Sequence, residues 1–161
     1  MTDLVPQYIQ KIFKHSISAY KRADICLATI LWCITFLCST STMQKILVVD
    51  DDKDLLEMVE MTLSRLGYHI TTLAKGSGFL NMVESIRPDI ILLDIFLGDA
   101  DGRTLCYNLK LQPIYENIPV ILYSAGYVPH STIEHSKADE FIIKPFEIKH
   151  LVEKIKTLLA I

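Results

Sequence analysis

The chain has 161 residues, half of them hydrophobic and 22% charged, which suits one ordinary domain with a buried core and excludes a disordered or collagen-like chain. Its net charge of −3 is unevenly placed, because residues 1–42 carry Lys11, Lys14, Lys21 and Arg22 against only Asp3 and Asp24, which leaves residues 43–161 at −5. An acidic body with no basic stripe excludes nucleic-acid binding by that part of the chain.

Residues 1–42 stand apart from the remainder of the chain. Ile25–Cys38 is an apolar run preceded by Lys21 and Arg22, and it falls short of the roughly 20 apolar residues that a spanning helix needs. It also resembles the apolar region of a signal peptide, although Ser39-Thr40-Ser41-Thr42 is a poor cleavage site. Positive charge upstream would place the following domain on the outer side of a membrane. Met43-Gln44-Lys45-Ile46-Leu47 begins directly on a strand pattern, so the plainest reading makes Met43 the start and residues 1–42 an extension. A membrane-associated helix and a packing appendage are the other readings. Cys26, Cys33, Cys38 and Cys106 form no Cys-x-x-Cys pair and read as small hydrophobes in a reducing compartment.

From Lys45 on, strand and helix patterns alternate. Lys45–Val49 is a short apolar run ending on Asp50-Asp51-Asp52. Leu55, Leu56, Val59, Leu63 and Leu66 then recur at helical spacing, and Gly67 stops that helix. Tyr68–Leu73 reads as a second strand and Ser77–Ile86 as a short helix closed before Pro88. The run Ile90–Leu93 ends on Asp94 and reads as a buried central strand. A loop over 95–102 leads to a helix over 103–111, with Asp99 and Asp101 as turn and cap residues. Pro119 opens a fourth strand that ends on Ser124. Residues 126–137 give a weak helical pattern broken by Pro129. Glu140–Ile143 is a fifth strand ending on Lys144-Pro145. Ile148, Leu151, Val152, Ile155, Leu158 and Leu159 mark a closing amphipathic helix. Five strands alternating with five helices predict an α/β fold: a five-stranded parallel sheet with right-handed crossovers and helices on both faces.

Acids, a hydroxyl and an ammonium thus fall at strand ends, where open α/β sheets bind ligands. If the first and third strands are neighbours, Asp50, Asp51 and Asp94 crowd together. Three such charges need a protonated carboxylate or a bound cation. Oxygen donors in a small site favour Mg²⁺. With the metal present, one carboxylate can attack phosphorus, while Lys144 and Ser124 serve the transferred oxygens.

Residues 43–161 resemble the receiver domain of two-component response regulators. The pieces that carry the resemblance are LVVDDD at 47–52, LLDIFLGDADG at 92–102, YSA at 123–125 and FIIKPF at 141–146. The resemblance implies a flavodoxin-like strand order of 2-1-3-4-5. It makes Asp94 the phospho-acceptor, Asp51 a direct Mg²⁺ ligand, Asp50 the acid that holds a metal-bound water, and the backbone carbonyl of Phe96 a further ligand. Ser124 matches the switch hydroxyl, Phe141 the switch aromatic and Lys144 the phosphate-contacting lysine, with a cis peptide before Pro145. It further implies a histidine kinase or histidine phosphotransfer protein as phosphodonor, no enzymatic turnover of other substrates, and a cytoplasmic location. With no DNA-binding or catalytic domain following Ile161, the expectation is no output domain of its own and an unidentified downstream protein as output. Leu97-Gly98 departs from the usual Met-Pro, and Phe141 lacks the hydroxyl of the commoner Tyr.

Two rivals come from other classes. A haloacid-dehalogenase-type phosphatase also uses an aspartyl phosphate, and Asp50-Asp51-Asp52 satisfies its Asp-x-Asp pattern. Lys53-Asp54-Leu55 follows here instead of Gly-Thr-Leu, and the late acidic motif is missing. A phosphorylation-independent docking module would keep the fold but has no need of the complete acid, hydroxyl and lysine set.

Overall fold

The computed structural model describes residues 43–126 and 128–160. The expectations for residues 1–42, including the apolar run 25–38, lie outside the described residues. Among the described residues no helix is long and apolar enough to cross a membrane.

The elements are β1 (Lys45–Val49), α1 (Lys53–Arg65), β2 (His69–Leu73), α2 (Phe79–Ile86), β3 (Ile90–Asp94), β4 (Phe96–Leu97), β5 (Ala100–Asp101), α3 (Gly102–Lys110), β6 (Val120–Ser124), α4 (His130–His135), β7 (Glu140–Ile143) and α5 (Ile148–Leu159). Five strands form one sheet in the order β2-β1-β3-β6-β7, all parallel. The second, first, third, fourth and fifth long strands therefore lie side by side as the resemblance implies, and the fold is the flavodoxin-like one.

Alternation along the strands sorts the side chains onto two faces. Ile46, Val48, Ile90, Leu92, Ile121, Tyr123 and Ile142 pack with Leu56, Val59 and Leu63 of α1 and Leu151 and Ile155 of α5. Leu47, Val49, Ile91, Leu93, Val120 and Leu122 pack on the opposite face with Phe79 and Val83 of α2 and Cys106 and Leu109 of α3. Because β3 is central and covered on both faces, it is apolar at successive positions rather than at alternate ones.

Three local features differ from the sequence reading. The segment 95–102 is not simple loop, since β4 and β5 pair antiparallel within it, with Phe96 opposite Asp101 and Leu97 opposite Ala100. Pro129 does not interrupt a helix but precedes one, the six-residue α4. Its fixed φ suits a helix start, and its missing N–H costs nothing there. The helix expected from Ser77 starts at Phe79, after Gly78 takes φ +90°, a left-handed conformation that glycine adopts without penalty.

The fold also contains a buried lysine that the sequence pattern does not announce. Lys110 donates to the Asp139 carboxylate at 2.7 Å and to the Glu116 carbonyl at 3.1 Å, and Asp139 also accepts from the Val120 N–H at 2.7 Å. Together they tie the end of α3 and the entry to β7 to the start of β6.

Of the three consecutive aspartates, Asp52 is the N-cap of α1. It accepts from the N–H groups of Asp54 (3.0 Å) and Leu55 (3.2 Å). Asp52→Ala should therefore lower stability by about 1 kcal/mol, the usual worth of an N-cap carboxylate. Urea unfolding of the variant against the parent measures it, and an unchanged midpoint would remove the capping role.

Candidate functional site

The parallel register brings the strand ends to one edge. Val49, the last residue of β1, lies opposite Leu93, so Asp50 and Asp51 come level with Asp94. Asp94 lies opposite Tyr123, and Ser124 opposite Ile143, which places Ser124 and Lys144 beside them. Carboxylate oxygens of Asp50, Asp51 and Asp94 lie within 4.8 Å of one another. Asp50 and Ser124 are fully buried, Asp94 is 5% exposed, and Asp51 faces outward.

One ammonium crosses this cluster. Lys144 Nζ donates to Asp50 Oδ2 at 2.7 Å and stands 3.4 Å from Asp94 Oδ1. The approach to Asp94 is out of line for a hydrogen bond, and Asp94 Oδ1 is buried with no hydrogen-bond partner among the described residues. The other oxygen of Asp50, Oδ1, accepts from the Asp52 N–H at 2.9 Å. Burial pushes the Asp94 carboxyl from 3.8 up to about 6; Lys144 opposes the rise, and Asp50 and Asp51 add to it.

Ser124 Oγ accepts from the Gly126 N–H at 3.1 Å. The peptide between Lys144 and Pro145 is cis. Phe141 is partly buried against the core on the α2 and α3 face. Phe96 opens β4 two residues beyond Asp94, and its side chain is 56% exposed. A ring carbon of Phe96, Cε2, lies 3.9 Å from where a Cβ on Gly126 would sit, so the ring lies beside the β6–α4 loop.

Two residues, Gly102 and Asp99, position the site in ways the sequence reading did not give. A Cβ on Gly102 would stand 2.0 Å from the carbonyl oxygen of Asp94, so only glycine lets α3 start against the backbone of that carboxylate. Its signal was the glycine closing LLDIFLGDADG. Asp101 caps α3 as expected, accepting from the Arg103 N–H at 2.9 Å. Asp99 does more than turn the chain. Its carboxylate accepts from the N–H groups of Gly76 (2.8 Å) and Ser77 (2.9 Å), pinning the β4–β5 hairpin to the β2–α2 loop. Nothing local in the sequence points to that pairing. His130, His135 and His150 are exposed, and His135 stacks on Tyr107.

A small α/β sandwich with two buried acids, a third exposed one and a lysine at the strand ends is the architecture of a phospho-accepting signalling domain, and comparison with known proteins agrees. Residues 46–156 match the family described as "Response regulator receiver domain". The DNA-binding response regulator MtrA of Mycobacterium tuberculosis is 33% identical over 118 residues, 72% of this chain and 50% of that protein. The probable transcriptional regulator ycf27 of Guillardia theta is 30% identical over 120 residues, 73% of this chain and 46% of that one. Among solved structures, a putative response regulator from Chloroflexus aurantiacus superposes with a TM-score of 0.70 at 30% identity, covering 74% of this chain and all of that chain. The receiver domain of a signal transduction histidine kinase from Syntrophus aciditrophicus gives 0.68 at 32% identity, covering 73% and 90%.

The chain belongs to the response regulator receiver domain family. It spans about half the length of the curated relatives it matches. Aspartate phosphorylation within phosphorelays, with a histidine kinase or phosphotransfer protein as the counterpart, is a general feature of that family. Receiver domains bind Mg²⁺ at an acidic pocket, and the residues here fit such an ion: the donors are all hard oxygens, and one buried carboxylate oxygen has no partner among the described residues.

The raised Asp94 pKa couples folding to pH. The folded carboxyl keeps its proton to about pH 6, while the unfolded one releases it near 3.8. Stability therefore falls as pH rises through that window and stays low above it. With EDTA present, Asp94→Asn should be more stable than the parent near pH 7.5 and lose that advantage toward pH 4. Denaturant midpoints at the two pH values test it; equal midpoints at both would show that Asp94 ionises freely.

Proposed function

We propose that residues 43–161 form the phospho-accepting half of a two-component signalling step, with Asp94 as the acceptor. The observation that carries the reading is the buried Asp94 Oδ1, which has no hydrogen-bond partner among the described residues and lies 3.4 Å from a lysine and next to two further carboxylates. In the transfer, an Asp94 carboxylate oxygen forms a bond to phosphorus as the phosphorus–nitrogen bond of a phosphohistidine breaks. The electron pair of that bond stays on the donor's imidazole. Asp51, Asp94 and the Phe96 carbonyl would hold Mg²⁺, with Asp50 behind a bound water. The bound ion supplies neutralisation of the charge that builds on the phosphoryl oxygens.

Lys144 has two tasks in this scheme. It compensates Asp50 and Asp94 beforehand, and it offers a charge-assisted hydrogen bond to a phosphoryl oxygen afterwards. Ser124 Oγ takes the Gly126 N–H at present and keeps its own proton to donate. When Ser124 turns toward the phosphoryl group, Phe141 packs into the space that opens, biasing a two-state arrangement of the faces around β6 and β7. That face then binds a downstream protein differently in the two states. MtrA is described as DNA-binding; no DNA contact is assigned to the acidic residues 43–161. The domain turns over no other substrate, releases its own phosphoryl group slowly, and works in the cytoplasm.

Incubated with Mg²⁺ and a radiolabelled phosphohistidine protein, the chain should take up one acid-stable, base-labile phosphoryl group, and Asp94→Asn should take up none. Label persisting in that variant would overturn the assignment. Steady turnover of an aryl phosphate would favour the haloacid-dehalogenase alternative, and partner binding indifferent to a phosphate mimic would favour the docking module.

Phe96 generates a separate expectation. Its ring is exposed two residues beyond Asp94, beside Gly126 of the β6–α4 loop, and should hinder an attacking water. Phe96→Asn should shorten the phosphoryl half-life severalfold, read as loss of label after the donor is removed. An unchanged or longer half-life would show that the ring does not shield the acyl phosphate.

A further inference from the structure

Tyr123 is the largest fully buried side chain among the described residues, 1% exposed, and it lies in register with Asp94. Its contacts go beyond filling the core. The hydroxyl donates to the Val49 carbonyl at 3.2 Å, so a residue of β6 reaches past β3 to the end of β1, immediately before Asp50. The ring centroid is 4.7 Å from Lys144 Nζ, the ammonium that bonds Asp50 and faces Asp94. The same ring meets Phe146, two residues beyond Lys144, edge to face at 5.9 Å and 67°. One side chain thus touches the backbone leading into Asp50, the ammonium, and the segment that follows the lysine. Burial holds the Tyr123 hydroxyl well above its ordinary pKa of 10, so it stays a donor.

A leucine would serve a purely apolar slot at this position without bringing a hydroxyl into the core. An aromatic ring under a partly desolvated ammonium attracts it through the negative π face. That attraction adds a further contact to those Lys144 makes with Asp50 and Asp94 and limits how far the ammonium can swing.

We propose that Tyr123 is a positioning residue for phosphoryl acceptance, its ring face and its hydroxyl bond to Val49 holding the Lys144 ammonium between Asp50 and Asp94. The inference rests on the assignment of Asp94 as acceptor and Lys144 as its partner.

The test compares the parent, Tyr123→Phe and Tyr123→Leu, each with and without Lys144→Ala, and follows phosphorylation by acetyl phosphate with Mg²⁺. Tyr123→Leu should slow phosphorylation about three- to tenfold, the range expected for loss of a partly buried cation–π contact. Tyr123→Phe, which keeps the ring, should lose less. With Lys144→Ala in place, Tyr123→Leu should add nothing. The second readout needs no phosphoryl transfer: the Lys144 ε-methylene protons should resonate upfield in the parent and in Tyr123→Phe, and at ordinary positions in Tyr123→Leu. An equal rate penalty in both lysine backgrounds would overturn the proposal, as would ordinary Lys144 resonances in the parent, which can be read even if Tyr123→Leu fails to fold. A parent that takes up no phosphoryl group on Asp94 would instead sink the functional reading, leaving the resonances to decide the geometry.

Discussion

The Lys144 ammonium lies between two carboxylates that are almost wholly removed from water, 2.7 Å from Asp50 and 3.4 Å from Asp94. Burying one uncompensated carboxylate is costly, and burying two side by side is worse. A single positive charge lowers that cost without removing it, because Lys144 hydrogen-bonds only Asp50 and leaves Asp94 Oδ1 without a donor among the described residues. The pocket therefore keeps an unmet demand for positive charge and hydrogen-bond donors. A site with that residual demand is suited to a hard cation and a phosphoryl group, and the domain gives up stability to keep it so.

The rest of the fold holds this tension in place. Parallel strands bring their C-terminal ends to one edge, so groups far apart in the chain meet there because of register. Close packing then fixes the backbones beneath the side chains. Gly102 lets α3 begin against the Asp94 carbonyl, and the Gly76 backbone comes so near Ala100 that a Cβ would fall 2.5 Å from its methyl group. Asp99 adds two hydrogen bonds between the same two segments. The β4–β5 hairpin, which carries Phe96, is thereby clamped to the β2–α2 loop. On the other side Asp139 and Lys110 fix the start of β6, whose far end carries Tyr123 and Ser124.

Membership of the receiver family places this pocket in a signalling role, while the departures from the usual pattern give the domain its individual features. Gly98 stands close to Asp51, with room for a Cβ only 3.5 Å from its carboxylate. Phe96 presents an exposed aromatic ring two residues beyond Asp94. Phe141, partly buried against the core, has no hydroxyl with which to hydrogen-bond. Tyr123 brings a polar aromatic under the lysine in a layer otherwise made largely of aliphatic residues.

Much of this was legible in the residues alone. Short apolar runs ending abruptly on Asp50, Asp94, Ser124 and Lys144 announced both the strands and the edge at which they end, because a buried parallel strand must be apolar on both faces and its polar ending must reach solvent or a ligand. The alternation of strand and helix periods gave the α/β class for the same reason. Those patterns left open which polar groups meet: that Asp99 bonds the chain 22 and 23 residues earlier, that Lys144 chooses Asp50 over Asp94, and that Tyr123 reaches Val49. Periodicity and motif spacing say which face or end a residue occupies, and hydrophobic burial enforces that choice whatever the partner. Hydrogen bonds and ion pairs depend on separations of a few tenths of an ångström between segments distant in the chain, and those separations exist only once the sheet register and the helix packing have been set.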